Sequence, residues 1–377
     1  MANSGSRIYQ KLGVRPVINA GGNTTVWGGS TPSPEVRKAM DEADSSYVEV
    51  KELLERSGGY IADVLGVDAA HVTSGCFASL VLSTAACIAG PDPEKSSRLP
   101  DTAGMNNEIV TLKALRYPYQ RSHRVAGGVL VEAGDEDGCT ADQLAGAIGP
   151  KTAAVAYVYQ PDVYPANLAL EDVTRVAHDR GVPVILDAAS QIFPLDHFRR
   201  IAQSGDLVCF GAKYISAPQS TGFLCGRGDL VEAAATQGFI GFETGGGHSF
   251  GRGYKVDRQD IVGVVAALEA WFAMDHEDRL TDYRTRLATI ERAVDGIPGV
   301  SAELTIYDSY VQLALHIVLD GNPRGMDAQQ LADDLLADSP RIRVNVIAED
   351  TIFVAAHTLN EGEESIIADR LRGLLAE

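Results

Sequence analysis

Residues 182–189, VPVILDAA, and residues 206–227, DLVCFGAKYISAPQSTGFLCGR, decide how this 377-residue chain is read. The first is an unbroken apolar run that closes on one acid, Asp187. The second opens with another such run, DLVCF (206–210), closes on a third, TGFLCG (221–226), and carries a single lysine, Lys213, between them. Strands that are apolar without alternation are covered on both faces. Upstream, TAAVAYVY (152–159) is a further β-rich run, and LEDVTRVAHDRG (170–181) is a helical pattern that stops at Gly181. Strands of this kind separated by helices predict an α/β fold with a mainly parallel central sheet.

Working outward, SPEVRKAMDEA (33–43) opens with Ser-Pro before an acid, a helix start, and residues 47–65 continue as an amphipathic helix. Two long helical patterns, 260–274 and 277–296, lead away from the sheet. The tail, with strands at 311–318, 341–347 and 351–355 and helices at 327–337 and 362–375, reads as a small α+β domain. The expected organisation is an N-terminal segment (1–55) packing with the small domain, a large domain (56–276) and a small C-terminal domain (277–377).

Composition narrows the function. The formal net charge is −19, which offers no basic surface for releasing nucleic-acid counterions. No apolar run reaches 18 residues, and MANSGSRIYQ lacks an apolar signal core, so neither a membrane helix nor secretion is expected. Cys76, Cys87, Cys139, Cys209 and Cys225 show no CxxC spacing and read as reduced thiols of a cytoplasmic protein. The histidines show no HxxxH or HExxH grouping, so no metal is expected.

Three features fall at strand ends, where ligands gather in parallel α/β sheets. HVTSGCFASLVLSTAACIAG (71–90) is a short strand that runs through Thr-Ser-Gly directly into a long apolar helix, whose free N–H groups can hold an anion. Asp187 closes one buried strand, and Lys213 follows the next. Taken singly they read as a helix cap, a second cap and a surface lysine. Together they supply what pyridoxal 5'-phosphate (PLP) requires: a phosphate site, a carboxylate to keep the pyridine nitrogen protonated, and an amine for a Schiff base.

The chain resembles the fold-type I PLP enzymes, and within them the selenocysteine synthase-like (SelA-like) family that includes D-glucosaminate-6-phosphate ammonia lyase. The resemblance runs from about residue 14 to 275, through RPVINAGGNTTVWGGSTPSPEVRKAM (15–40), AAHVTSGCFASLVLSTAACIAG (69–90), LPDTAGMNNEIV (99–110), GVPVILDAAS (181–190), the Lys213 stretch and GRGYKVDRQDIVGVVAALEA (251–270). It implies the aspartate aminotransferase-like fold, with Lys213 as the Schiff-base lysine and Asp187 as the pyridinium partner. Ser74, Gly75 and Cys76 would hold the phosphate, Ala189 would lie beneath the ring, and His123 would stack on its other face. Gln219 and Ser220 would reach a cofactor phosphate, that of a neighbouring subunit included. The glycine and alanine before Lys213 would leave room for the cofactor. A dimer or larger even assembly is implied as well.

The mechanism implied is removal of an α-proton by Lys213 once the substrate amine has displaced it. Loss of a β leaving group then gives α,β-elimination with ammonia release from a small amino acid or amino-sugar acid. Return of the proton to the opposite face would give a racemase or epimerase instead, and selenium or sulfur transfer is a third reading that the −19 charge disfavours. Two positions depart from the family pattern: Asn19-Ala20-Gly21-Gly22 lacks the arginine relatives carry, and Phe210-Gly211-Ala212-Lys213 lacks their serine. Arg252, Lys255 and Arg258, after the Gly-rich ETGGGHSFGRG (243–253), are candidate cations for a substrate carboxylate. Tyr117, Tyr119, Tyr157, Tyr159 and Tyr164 are numerous enough to line a pocket.

Overall fold

The structure, a computed structural model, describes residues 7–161, 168–307, 313–322 and 324–376. Tyr164 and the first two residues of the expected strand 311–318 lie outside them. The chain divides into two compact units, Ser30–Ala273 and a second formed by Met1–Gly29 with Met274–Glu377.

The larger unit is built on seven strands: β1 (Ala69–Thr73), β2 (Glu108–Leu112), β3 (Val129–Ala133), β4 (Thr152–Val158), β5 (Val184–Asp187), β6 (Leu207–Gly211) and β7 (Gly222–Gly226). Their order across the sheet is β1-β7-β6-β5-β4-β2-β3. β3, β2, β4, β5 and β6 run parallel, and β7 is antiparallel to both of its neighbours. β4, β5, β6 and β7 are buried at every position, as unalternating apolar strands should be. β2 and β3 add to the strands expected from sequence, since EIVTL and VLVEA are short and lie beside loop-like segments.

Three helices of this unit matter for the site: α1 (Pro34–Asp44), α2 (Cys76–Ala89) and α3 (Arg258–Ala273). Ser33 caps α1, its Oγ accepting from the Val36 N–H at 3.3 Å, with Pro34 at the first helical position. α2 is apolar around its whole circumference and is buried from Ala78 to Ala86.

The smaller unit has a four-stranded antiparallel sheet in the order 345–348, 351–355, 313–318, 301–306. Its core gathers Leu287, Ile290, Leu315, Leu331, Ile352, Ile367 and Leu371. The expected strand 341–347 is two short strands, Arg341–Arg343 and Asn345–Ala348, because they pair with different partners. Arg341–Arg343 pairs in parallel with Val17–Asn19.

The expected boundary at residue 55 differs from the observed one. Residues 30–55 sit in the larger unit because α1 lies along α3: Arg258 donates to the Ala43 carbonyl (3.1 Å) and to the Asp44 carbonyl and Oδ1 (both 3.0 Å). Gly263 makes room for that packing, since a Cβ there would lie 3.0 Å from Pro218 and 3.2 Å from Met40. Among the described residues, no helix is long and apolar enough to cross a membrane.

Candidate active site

The carboxyl ends of β5 and β6 and the start of α2 bring the expected groups together. Asp187 ends β5 and is buried, with 7 % of its surface exposed. Its Oδ2 accepts from the Tyr117 hydroxyl at 2.6 Å, and its Oδ1 from the Ala189 N–H at 3.1 Å and the Cys76 thiol at 3.5 Å. Burial drives its pKa upward, outweighing the lowering effect of the Tyr117, Ala189 and Cys76 hydrogen bonds. A carboxylate so placed calls for a cation.

Lys213 lies in a short 3₁₀ turn, Ala212–Ile215, directly after β6. The turn is closed by the Ser216 N–H on the Lys213 carbonyl (3.2 Å) and the Ala217 N–H on the Ala212 carbonyl (3.2 Å), with Ser216 in the left-handed region at φ 61°. The Lys213 ammonium is half-buried and stands 5.0 Å from the centre of the Tyr214 ring. Burial lowers its pKa, while the neighbouring Cys76 acts in the opposite direction. Cys76 in turn feels the charges of both Asp187 and Lys213, so the three side chains share one electrostatic neighbourhood. The expected empty space beside Gly211 is not there: a Cβ at Gly211 would lie 3.1 Å from the Tyr214 ring and 3.4 Å from the Ala189 carbonyl, so the glycine admits Tyr214.

The anion loop has the form an anion needs. After β1, Gly75 adopts φ +100° and starts α2 without any side-chain cap, leaving the first N–H groups of a buried 14-residue helix for a ligand. Thr73 Oγ1 stiffens the loop by donating to the Gly75 carbonyl (3.1 Å) beside Ser79 Oγ (2.7 Å). Gly222 on β7 permits the approach, because a Cβ there would sit 2.7 Å from Cys76 N and 2.5 Å from the Phe210 carbonyl oxygen. Gly222→Ala is therefore expected to push the loop aside. Stability should fall by about 1–3 kcal/mol, measured by denaturant unfolding, and phosphate affinity should fall with it.

His123 is fully buried and reaches α2, its Nδ1 2.8 Å from Thr84 Oγ1. Thr84 gives its only proton to the Leu80 carbonyl (2.8 Å), so His123 Nδ1 carries the hydrogen and donates. Burial lowers its pKa to about 4, making it neutral at physiological pH. His123, Tyr117 and Asp187 line one small cavity together with Gln120. Ala189 is half-buried, its carbonyl accepting from the Gly211 N–H at 2.9 Å, which locks the end of β5 to the end of β6. Ser74 is half-buried at the loop, Ser220 is exposed, and Gln219 Oε1 is buried with no partner.

The three candidate substrate cations all meet acids. Arg252 pairs with Glu243 at 2.5 Å, Lys255 with Asp257 at 3.9 Å, and Arg258 with Asp44 as described. Arg258 also lies 5.1 Å from the Tyr47 ring centre and closes the carboxyl end of α1, a structural task. Gly21, where the family arginine is missing, is crowded: a Cβ would lie 3.0 Å from Asn345 Oδ1 and 3.4 Å from Arg343 Cγ. Of the tyrosines, Tyr157 donates to the Leu168 carbonyl (3.2 Å), Tyr119 is exposed and Tyr159 lies 5.9 Å from the His197 ring. Among the described members of this set, Tyr159 bonds Asp187 through its backbone N–H (2.8 Å to the Asp187 carbonyl) and Tyr117 through its side chain, a distinction that five similar tyrosines concealed in the sequence.

Strand order, a capless helix start, a strand-end carboxylate and a half-buried lysine define the class of fold-type I PLP enzymes. The solved structure of D-glucosaminate-6-phosphate ammonia-lyase matches with a TM-score of 0.86 and 28% identity over 98% of both chains. A NifS-like protein shares the fold at a TM-score of 0.57 and 14% identity, over 95% of this chain and 99% of the other. In sequence, the chain is 32% identical to a 5'-C-glycyluridine monooxygenase-decarboxylase of Streptomyces sp, over 98% of this chain and 92% of that protein. It is 30% identical to the D-glucosaminate-6-phosphate ammonia lyase of Salmonella typhimurium, over 97% of each. It is 26% identical to an L-seryl-tRNA(Sec) selenium transferase of Moorella thermoacetica, over 68% of this chain and 56% of the relative. No family model matches the chain. The chain belongs to the SelA-like family of fold-type I PLP enzymes.

The residues present fit that cofactor. Asp187 is a buried carboxyl group suited to a cationic partner, and the α2 N–H groups are capless.

Proposed function

We propose that this protein is a PLP-dependent lyase performing α,β-elimination, with ammonia release, on a small amino acid or amino-sugar acid. The observation that carries the proposal is the convergence of Lys213, Asp187 and the α2 start through Cys76, whose thiol touches Asp187 at 3.5 Å. Full-length similarity to an ammonia lyase supports the reaction type.

PLP, when bound, supplies an electrophilic carbon and a ring that accepts electron density from the substrate. The α2 N–H groups with Ser74 hold an anion. Asp187 would be the residue that favours a protonated ring nitrogen in the bound group. Lys213, whose pKa burial lowers, would hold the group covalently and would then supply the base for the substrate α-proton. Neutral His123 braces α2 through Thr84.

The test is borohydride reduction of the yellow protein with mass spectrometry at Lys213, followed by amino-acid screening for keto acid and ammonia. A colourless protein that takes up no PLP would overturn the cofactor; α-proton exchange in heavy water without ammonia release would overturn the lyase reaction in favour of racemisation. A second reading, oxidative decarboxylation, draws on the 32% identity to the monooxygenase-decarboxylase, and its signature is consumption of dioxygen with release of CO₂.

A homodimer or larger even assembly belongs to this proposal. Phe77 (40 % exposed) and Val125 (41 % exposed) line one surface hollow with Pro118, at the first turn of α2. This hollow, lined by Arg121 and Arg124 as well, lies beside the phosphate loop and suits a second copy, and sedimentation giving a monomer would overturn it. The five free cysteines fit a reducing, cytoplasmic setting, and the −19 charge fits a partner that is a small molecule rather than nucleic acid or an anionic membrane.

A further inference from the structure

We propose that Tyr117 is a positioning residue that fixes which lone pair of Asp187 is left for the ring nitrogen of the cofactor. The inference rests on the PLP reading above and goes beyond it. A carboxylate offers about four acceptor positions. On Asp187 the Ala189 N–H occupies Oδ1, where the Cys76 thiol, its one proton shared with the Cys209 carbonyl at the same 3.5 Å, also lies, and the Tyr117 hydroxyl fills one position of Oδ2 at 2.6 Å. The second position of Oδ2 is left. A hydroxyl donating at that distance also spreads the carboxylate charge and favours the ionised form against the opposing effect of burial.

Tyr117 is set for this task by its neighbours. Its backbone is extended (φ −146°, ψ 159°) between two 3₁₀ turns, Lys113–Leu115 and Pro118–Gln120. Arg116 anchors the segment by a forked pair with Glu132, Nε to Oε1 at 2.9 Å and Nη2 to Oε2 at 2.8 Å. The Tyr119 ring lies 6.1 Å away. Burial, together with the charge of Asp187, raises the Tyr117 pKa well above its ordinary value, so the hydroxyl stays a donor at any working pH.

The test compares ligand-free wild type, Tyr117→Phe and Tyr119→Phe, refolding competence being checked by circular dichroism. PLP affinity is measured by equilibrium dialysis, and the ring nitrogen by the ¹⁵N shift of ring-labelled PLP in the holoprotein. Tyr117→Phe should weaken binding about tenfold and move the ¹⁵N resonance toward the unprotonated position, whereas Tyr119→Phe should match wild type. A merely structural tyrosine would leave the resonance where it is. If wild type binds PLP and Tyr117→Phe binds equally or more tightly with an unmoved resonance, this inference falls and the PLP reading stands. If wild type binds no PLP, the PLP reading itself falls and carries this one with it.

Discussion

Lys213→Ala should lose at least about 10⁴-fold in kcat, since one substitution removes both the covalent attachment and the base. Borohydride should no longer fix PLP to the protein. Lys213→Arg should fail equally, because a guanidinium keeps the charge but is not a nucleophile. Folding should survive. Burial lowers the Lys213 pKa, so in the ligand-free protein holding the lysine at neutral pH costs stability. The ligand-free alanine variant should therefore melt no lower than wild type. A variant that kept measurable turnover, or that lost activity only by unfolding, would defeat the assignment.

Asp187→Asn should lower kcat by about 10²–10⁴-fold, as expected for removing one partner of a buried charge pair, about 3–5 kcal/mol. Without the cofactor the sign reverses. Burial raises the Asp187 pKa above its ordinary value of 3.8, so the folded state binds the proton more tightly than the unfolded state. That contribution to stability is complete below the unfolded pKa and is lost as pH rises through the folded one. The asparagine variant has no such loss. Thermal unfolding of the ligand-free proteins should show the variant gaining on wild type as pH climbs from 4 toward 8, and parallel curves would contradict it. With PLP bound, wild type should be the more stable of the two.

Local pattern carries the central strands and several helix limits of this protein. Unalternating runs such as VPVIL mark strands covered on both faces, and Gly181 and Pro34 mark helix limits. The strands Glu108–Leu112, Val129–Ala133 and Val17–Asn19 carry no such local signature: they are three to five residues long and owe their geometry to partner strands elsewhere in the chain, Arg341–Arg343 in the case of Val17–Asn19. The same holds for the division between units. Nothing within residues 30–55 says that Arg258 will close the end of the helix Pro34–Asp44.

The order of TSG, Asp187 and Lys213 along the chain, each at a strand end, was determined by sequence alone, because hydrophobic period and turn residues are local properties. Which groups meet was decided only by the tertiary structure. Cys76 touches Asp187 across 111 residues of chain, and Tyr117 reaches the same carboxylate across 70. Gly211 proved to admit a neighbouring ring rather than a ligand. Such contacts depend on the strand order β1-β7-β6-β5-β4-β2-β3, which arises from packing the whole sheet at once and is written in no single segment.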